Sequence, residues 1–258
     1  NKIILATGGK AGPAYGCTGD GYTLAKALGH QITKTLPVLT GVMCEALPAG
    51  LKGVRVKGQL TLYFEQTPVF SEIGEVQFTD YGISGICVFN LSRHLVYRDA
   101  RKLTPYTITL DIHPGESFED FFFDQRKING QTRCFDFLRG VLKEDLAHWV
   151  AEQWGVSEKS LLMECTPSDF VRLEETLHGL KIQPTGVMGF KMAQCTTGGI
   201  EPLEVHTATF ESRLVPGLYF AGELLDYDGP CGGYNLDHAF RTGRQAAMAA
   251  LSTMEDMK

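Results

Sequence analysis

Hydrophobic and polar positions change rhythm three times along the chain. Residues 2–7 are predicted as a strand that stops at Gly8-Gly9. A glycine-rich loop from Lys10 to Gly21 then leads to a helix predicted over 22–28, with Gly29 placed to close it. Strand, glycine turn and helix in that order are the grammar of a layered α/β domain. From about Val38 to His113 short alternating stretches follow, at 54–57, 59–64, 74–79 and 106–112, punctuated by Gly and Pro. That spacing predicts an all-β sandwich or small barrel. Gly82-Ile83-Ser84-Gly85 interrupts it, and a short helix is predicted over 87–94.

Between Ser117 and Gly179 the period becomes helical. Leu138, Val141, Leu142, Leu146, Trp149, Val150 and Trp154 form one apolar stripe. Thr166-Pro167-Ser168-Asp169 supplies an N-cap, a proline at N1 and an acid at N3, with Phe170, Leu173 and Leu177 as the buried side. Phe118, Phe121, Phe122 and Phe123 read as core packing. The last 70 or so residues return to α/β texture, with strands predicted over 191–196 and 218–221. A final helix is capped by Asn235, its inner face Leu236, Ala239, Phe240, Gly243, Ala246, Ala247 and Ala250. The two ends match in style and the middle does not, which predicts one α/β domain interrupted by an inserted β-plus-helix domain. The boundaries expected are 1–36 and 191–258 for the α/β part. The insert takes 37–190, barrel-like over 37–115 and 180–190 and helical over 116–179.

Composition narrows the picture. With 258 residues, 43% hydrophobic, the chain can fill one large core or two modest ones. A formal net charge of −6 argues against nucleic acid or an anionic membrane as the main partner. No apolar run approaches the ~20 residues of a membrane helix. The opening Asn1-Lys2-Ile3-Ile4-Leu5-Ala6 looks like the middle of a strand, so a longer parent protein is expected. Seven dispersed cysteines without CxxC or zinc spacing suggest reduced thiols in the cytoplasm and no metal site.

Three strand-to-glycine junctions stand out: Thr7-Gly8-Gly9, Thr197-Gly198-Gly199 and Ala221-Gly222-Glu223. Such junctions let a ligand approach the main chain at the carboxyl ends of strands. The segment from Gly217 to Asn235 is the most specific, because a buried strand delivers an acid and a glycine-rich loop then opens a helix. The unpaired N–H groups of that helix can seat an electron-rich ligand edge, and the acid can accept from sugar hydroxyls. Asp226 and Asp228 fit either an acid/base pair or a turn before Gly229, with the turn favoured. His113, His206 and His238 lack partner motifs and read as surface or packing residues. No GxSxG, HExxH, Walker or EF-hand pattern is present.

The stretch Gly217-Leu218-Tyr219-Phe220-Ala221-Gly222-Glu223, Leu225-Asp226, Asp228-Gly229 and Gly232-Gly233-Tyr234-Asn235 resembles the C-terminal signature of the HI0933-like flavoproteins. These are FAD-binding proteins of the NAD(P)/FAD-dependent, aminoacetone-oxidase-like kind. Three further blocks are similar to the family in the same order. They are Ile4 to Gly9 with Thr18 to His30, Gly82 to Gly85, and Thr197 to Ile200 with Phe210-Glu211-Ser212. The resemblance implies a partial Rossmann-like FAD-binding domain interrupted by a β-barrel-like insert with a helical subdomain. It implies that Gly222 and Glu223 lie near the ribityl–pyrophosphate part of FAD and that Asp226 also belongs to the cofactor site. Gly232, Gly233, Tyr234 and Asn235 would approach the isoalloxazine, and Thr7, Gly8 and Gly9 would line the cleft. The family's G-x-G-x-x-G has no match here, and Pro230 and Cys231 depart from its loop. Cys231 is either a loop residue or a redox thiol. The implied protein is a cytoplasmic oxidoreductase moving electrons from NAD(P)H or an organic donor to a small-molecule substrate. No catalytic acid or base is assigned. A cofactor-free scaffold and a nucleotide-binding protein without redox chemistry are the alternatives.

Overall fold

The computed structural model describes residues 1–95, 103–115 and 117–255. They fall into two compact units. The first joins Asn1–Gly41, a short stretch from Ser92, and the chain from Val187 onward; the second takes Val42–Leu91 and residues up to Gly186.

In the first unit β1 (Ile3–Leu5) pairs in parallel with β11 (Leu218–Phe220), Ile4 opposite Tyr219. Strand alternation sends Leu218 and Phe220 to one face, where they pack with Tyr22 and Ala25 of α1 (Asp20–Ala27) and with Ile200, Val205, Leu224 and Leu225. Tyr219 goes to the other face, against Ala246 and Ala250 of α7 (Tyr234–Glu255). The result is helix, sheet, helix. Gly29 closes α1 in a Schellman arrangement: Gly29 N–H donates to Lys26 O and His30 N–H to Ala25 O, both at 3.1 Å. His30 is then buried, with Nδ1 3.0 Å from Glu204 and Nε2 2.8 Å from Ser212 Oγ. Two segments far apart in sequence are thereby tied together. β2 (Leu36–Val38) and β10 (Cys195–Thr197) form a second, antiparallel ladder.

The second unit holds a seven-stranded sheet in the order β8-β7-β4-β5-β6-β3-β9. These are β3 (Val42–Cys44), β4 (Arg55–Phe64), β5 (Thr67–Phe78), β6 (Gly82–Ser84), β7 (Tyr106–Asp111), β8 (Leu180–Ile182) and β9 (Pro184–Val187). The sheet is open, with β8 and β9 at its edges, where the spacing had suggested a sandwich or barrel. The predicted stretches 54–57 and 59–64 are one strand, because Gly58 continues the ladder opposite Gly74. Helix α2 (Ile86–Ser92) begins and ends earlier than predicted. Helices α3 (Glu119–Ile128), α4 (Cys134–Val141), α5 (Glu144–Trp154) and α6 (Pro167–His178) complete the unit. The apolar stripe spans two helices, α4 and α5, separated where Leu142 turns extended. Gly140 weakens the end of the first, and Glu144 and Asp145 favour a new N-terminus. The Thr166 cap forms as expected: Thr166 Oγ1 accepts from Asp169 N–H, and the Asp169 carboxylate accepts from Thr166 N–H at 2.7 Å. Phe122 is buried between Phe118, Phe137 and Phe170.

Two expectations for the closing segments need correction. Residues 191–194 are not strand, since Met192 N–H turns back to Gly189 O, and β10 starts only at Cys195. Asn235 does not cap α7, which begins one residue earlier. Its side chain instead clamps Gly229, accepting from the N–H at 2.7 Å and donating to the carbonyl at 3.0 Å. The face of α7 also differs. Thr242, Ala246 and Ala250 are buried, while Leu236 and Phe240 are 67% and 77% exposed. Thr242 is tolerated inside because its hydroxyl donates to His238 O and accepts from Gly222 N–H. Among the described residues no helix is long and apolar enough to cross a membrane.

Candidate functional site: a glycine-lined cleft at the strand ends

β1 and β11 both run out into glycine turns, and the chain after β11 loops back to start α7. These pieces enclose a cavity of about 520 Å³ within the first unit. Gly8 and Ala6 form the β1 side; Ala221, Gly222 and Glu223 form the β11 side. Gly232, Gly233 and Asn235 stand at the start of α7, whose Leu236, Ala239 and Gly243 continue the wall. Gly222 has φ +71°, a left-handed conformation that lets the chain leave the strand sharply. The first turn of α7 brings unpaired N–H groups and the positive end of a helix dipole to this wall.

Glu223 is anchored from below. One carboxylate oxygen accepts the Thr196 N–H at 2.9 Å, and the Thr196 hydroxyl accepts the N–H groups of Lys10 and Ala11 at 2.8 and 3.1 Å. Gly9 lies against both. A methyl group built there would fall 2.6 Å from Thr196 Oγ1 and 2.8 Å from Glu223 Cδ, so only glycine fits. Burial raises the Glu223 carboxyl above its ordinary value, with the Thr196 hydrogen bonds pulling the other way. Tyr22 donates its hydroxyl proton to Glu223 O at 3.0 Å, and burial raises its pKa further.

Of the ten residues predicted for cofactor contact, Gly8, Gly222, Glu223, Gly232, Gly233 and Asn235 line the cavity. Four do not. Gly9 lies beneath it, under Glu223. Thr7 turns its hydroxyl toward Gly21, where a Cβ would collide with it. Asp226 accepts from Thr33 Oγ1 at 2.8 Å, a bond that holds Thr33 on Gly199. Tyr234 projects to the other side of α7, beside Tyr227 and Arg241. Asp228 is likewise held, by Thr197 Oγ1 at 2.8 Å and by Arg93 Nε at 2.7 Å, while Arg93 also donates to its carbonyl at 2.6 Å. Both aspartates brace the loop, in keeping with the turn reading. Sequence reasoning missed Leu39 and Gln194. Leu39 carries the signal of a positive φ, +53°, only in the structure; Gln194 lay inside the stretch expected to be strand, where nothing singled it out. Pro230 and Cys231 do line the cavity, and the Cys231 thiol donates to Gln194 Oε1 at 3.6 Å. Among the described residues no three His, Cys, Asp or Glu side chains cluster as metal ligands would.

A parallel strand pair flanked by helices, with a glycine cleft at the carboxyl ends of the strands, defines a Rossmann-type ligand-binding domain. The chain belongs to the HI0933-like family: the profile of the HI0933-like protein Rossmann domain matches residues 1–249. Members of that family are FAD-binding Rossmann proteins. The chain is 34% identical over 258 residues to a 3-dehydro-bile acid delta(4,6)-reductase of Clostridium scindens, covering 97% of this chain and 62% of the relative. It is 30% identical to a ribosomal RNA dihydrouridine synthase of Escherichia coli, over 93% of this chain and 58% of the relative. A ribosomal RNA dihydrouridine synthase of Haemophilus influenzae is 25% identical over 96% of this chain and 60% of the relative. The chain thus spans about 60% of the length of these relatives.

Proposed function

We propose that the protein carrying this chain is an FAD-dependent oxidoreductase that saturates a carbon–carbon double bond conjugated to a carbonyl, with NAD(P)H as electron donor. The observation that carries the flavin reading is the 520 Å³ cavity lined in part by glycine backbone and facing the start of α7. The residues present fit the cofactor. Glycines at 8, 222, 232 and 233 leave main-chain groups accessible, and the half-buried, anchored Glu223 can accept from ribityl or ribose hydroxyls. FAD, when bound, supplies hydride transfer; the protein supplies binding, orientation and electrostatics.

Each local interaction has a place in this account. The N-terminal N–H groups of α7 favour negative charge at the cavity wall. The Asn235 clamp on Gly229, with the Arg93–Asp228–Thr197 set, fixes the loop that carries Gly232 and Gly233. Leu39 and Ala239 add apolar surface to the wall. The printed names of the Clostridium scindens and Escherichia coli relatives both describe hydrogen added across a carbon–carbon double bond, and that shared chemistry supports the substrate class. A net charge of −6 favours a small molecule over RNA as the substrate here. The dispersed cysteines, none of them in a disulfide, favour a reducing, cytoplasmic setting. The exposed Leu236 and Phe240 of α7 suit a surface that further residues cover in a protein of the relatives' length.

The test is anaerobic mixing of the whole protein with NADPH and a conjugated cyclic enone, reading NADPH consumption at about 340 nm and the saturated product by mass. Turnover of the enone supports the reading. No turnover of any enone, with efficient reduction of a ribosomal RNA fragment, overturns the substrate class.

A further inference from the structure

In the helical part of the second unit, Cys134 opens α4 and Cys165 immediately precedes the Thr166 cap of α6. They are 31 residues apart in sequence, yet their sulfurs stand 3.3 Å apart. Both are buried, at 1% and 3% exposure. The backbone around them is already zipped: Cys134 N–H donates to Ser160 O, Leu162 N–H to Thr132 O and Met163 N–H to Gly130 O, at 2.8 to 3.0 Å. We propose that Cys134 and Cys165 are an oxidation site, closing a disulfide when the protein meets a peroxide.

The geometry requires little motion. A disulfide has an S–S length of about 2.05 Å, so each sulfur moves by less than ~1 Å, a shift side-chain rotation can supply. The two thiols differ in readiness. The Cys134 S–H lowers the Cys165 thiol by hydrogen bonding to its sulfur, with Arg126 adding to that effect and burial, Asp169 and Glu164 opposing it. The same bond, together with burial, raises Cys134. Elsewhere burial pushes Cys44 up to about 12 and Cys87 up to about 11, which keeps those sulfurs as unreactive thiols. A surface groove lined by Arg126, Gln131, Thr132 and Met163 comes within two residues of each cysteine in sequence.

The chemistry balances. The Cys165 thiolate attacks hydrogen peroxide, forming a sulfenic acid and releasing water once protons are exchanged. The Cys134 sulfur then displaces the hydroxyl, which leaves as a second water with the thiol proton. Two thiols and one peroxide give one disulfide and two waters, with two electrons passing from the sulfurs to the peroxide. The staple encloses α4 and α5 and fixes the pairing of residues 130–134 with 160–165.

The experiment treats the folded protein with about one equivalent of hydrogen peroxide, blocks remaining thiols with iodoacetamide, and maps the peptides. The expected result is a Cys134–Cys165 cross-linked pair about 2 Da lighter than the two reduced peptides. A Tm rise of several degrees, reversed by dithiothreitol, should accompany it. Cys134→Ser and Cys165→Ser should each abolish both effects. A stable sulfenic or sulfinic acid at either residue without the cross-link, or a cross-link to another cysteine, overturns the proposal. Should the serine variants not fold, the wild-type peptide map decides alone.

Discussion

Gly9→Ala adds one methyl group at the most crowded point under the cleft. Its carbon would sit 2.6 Å from Thr196 Oγ1 and 2.8 Å from Glu223 Cδ, where ordinary contact begins near 3.4 Å. Relieving the Thr196 contact alone takes 3.4 − 2.6 = 0.8 Å, and neither neighbour is loose. Thr196 Oγ1 already accepts two backbone N–H groups, and Glu223 already accepts a third. Overpacking of this kind costs about 1–3 kcal/mol. Leaving one buried N–H unpaired adds about 1–3 kcal/mol more. The expected loss is about 2–6 kcal/mol, read by urea unfolding or as a Tm drop of about 4–24 °C for a domain of this size. Because Gly9 is not among the positive-φ glycines, backbone strain makes no contribution. The steric cause has its own signature. In the Glu223→Ala background the contacts with Glu223 vanish and only the Thr196 one remains, so the two changes should couple by about 1 kcal/mol or more in a double-mutant cycle. A Gly9→Ala protein within about 0.5 kcal/mol of wild type, or a purely additive double mutant, would refute the reasoning.

Other expectations follow from single interactions. Thr166→Ala should cost about 1 kcal/mol through loss of the α6 cap. The Thr166 hydrogen bonds lower the Asp169 carboxyl, so the cap's contribution is present above the ordinary carboxylate value and fades as pH falls through the lowered one. Urea titrations of the pair at pH 7 and near pH 2 should show the difference shrinking; a constant gap would count against it. Burial raises the Glu223 carboxyl above 4.5, so its charged form opposes folding once pH climbs through the raised value. Glu223→Gln should therefore gain on wild type in Tm between pH 4 and pH 8, and a relative loss over that range contradicts the assignment. Arg93→Ala should free the Asp228 loop and weaken flavin binding by the whole protein about tenfold, measured by fluorescence titration, with little change in Tm.

Several features were open to sequence reasoning because local chemistry decided them. The Thr166 cap, the Gly29 terminus and the α/β texture at both ends all rest on residues within a few positions of each other. The junctions around Gly8, Gly198 and Gly222 were visible because glycine after a strand is itself the signal. Tertiary competition hid the rest. Asn235 looks like a helix cap, but Gly229 six residues back takes both ends of its amide. Leu236 and Phe240 look like an inner face, but the small Ala246 and Ala250 pack on Tyr219 and Thr242 satisfies its hydroxyl within the helix. The break after Val141 lay inside a stripe that keeps helical phase across it. Sheet closure depends on partners far apart in sequence, and short strands do not encode it.

The most direct check on the central claim is the visible spectrum of the whole protein as purified, followed by release and mass identification of any chromophore. An absorption band near about 450 nm that is bleached by reduction, with FAD released on denaturation, is the expected outcome. A colourless protein that takes up no FAD on reconstitution, while folded, would contradict it.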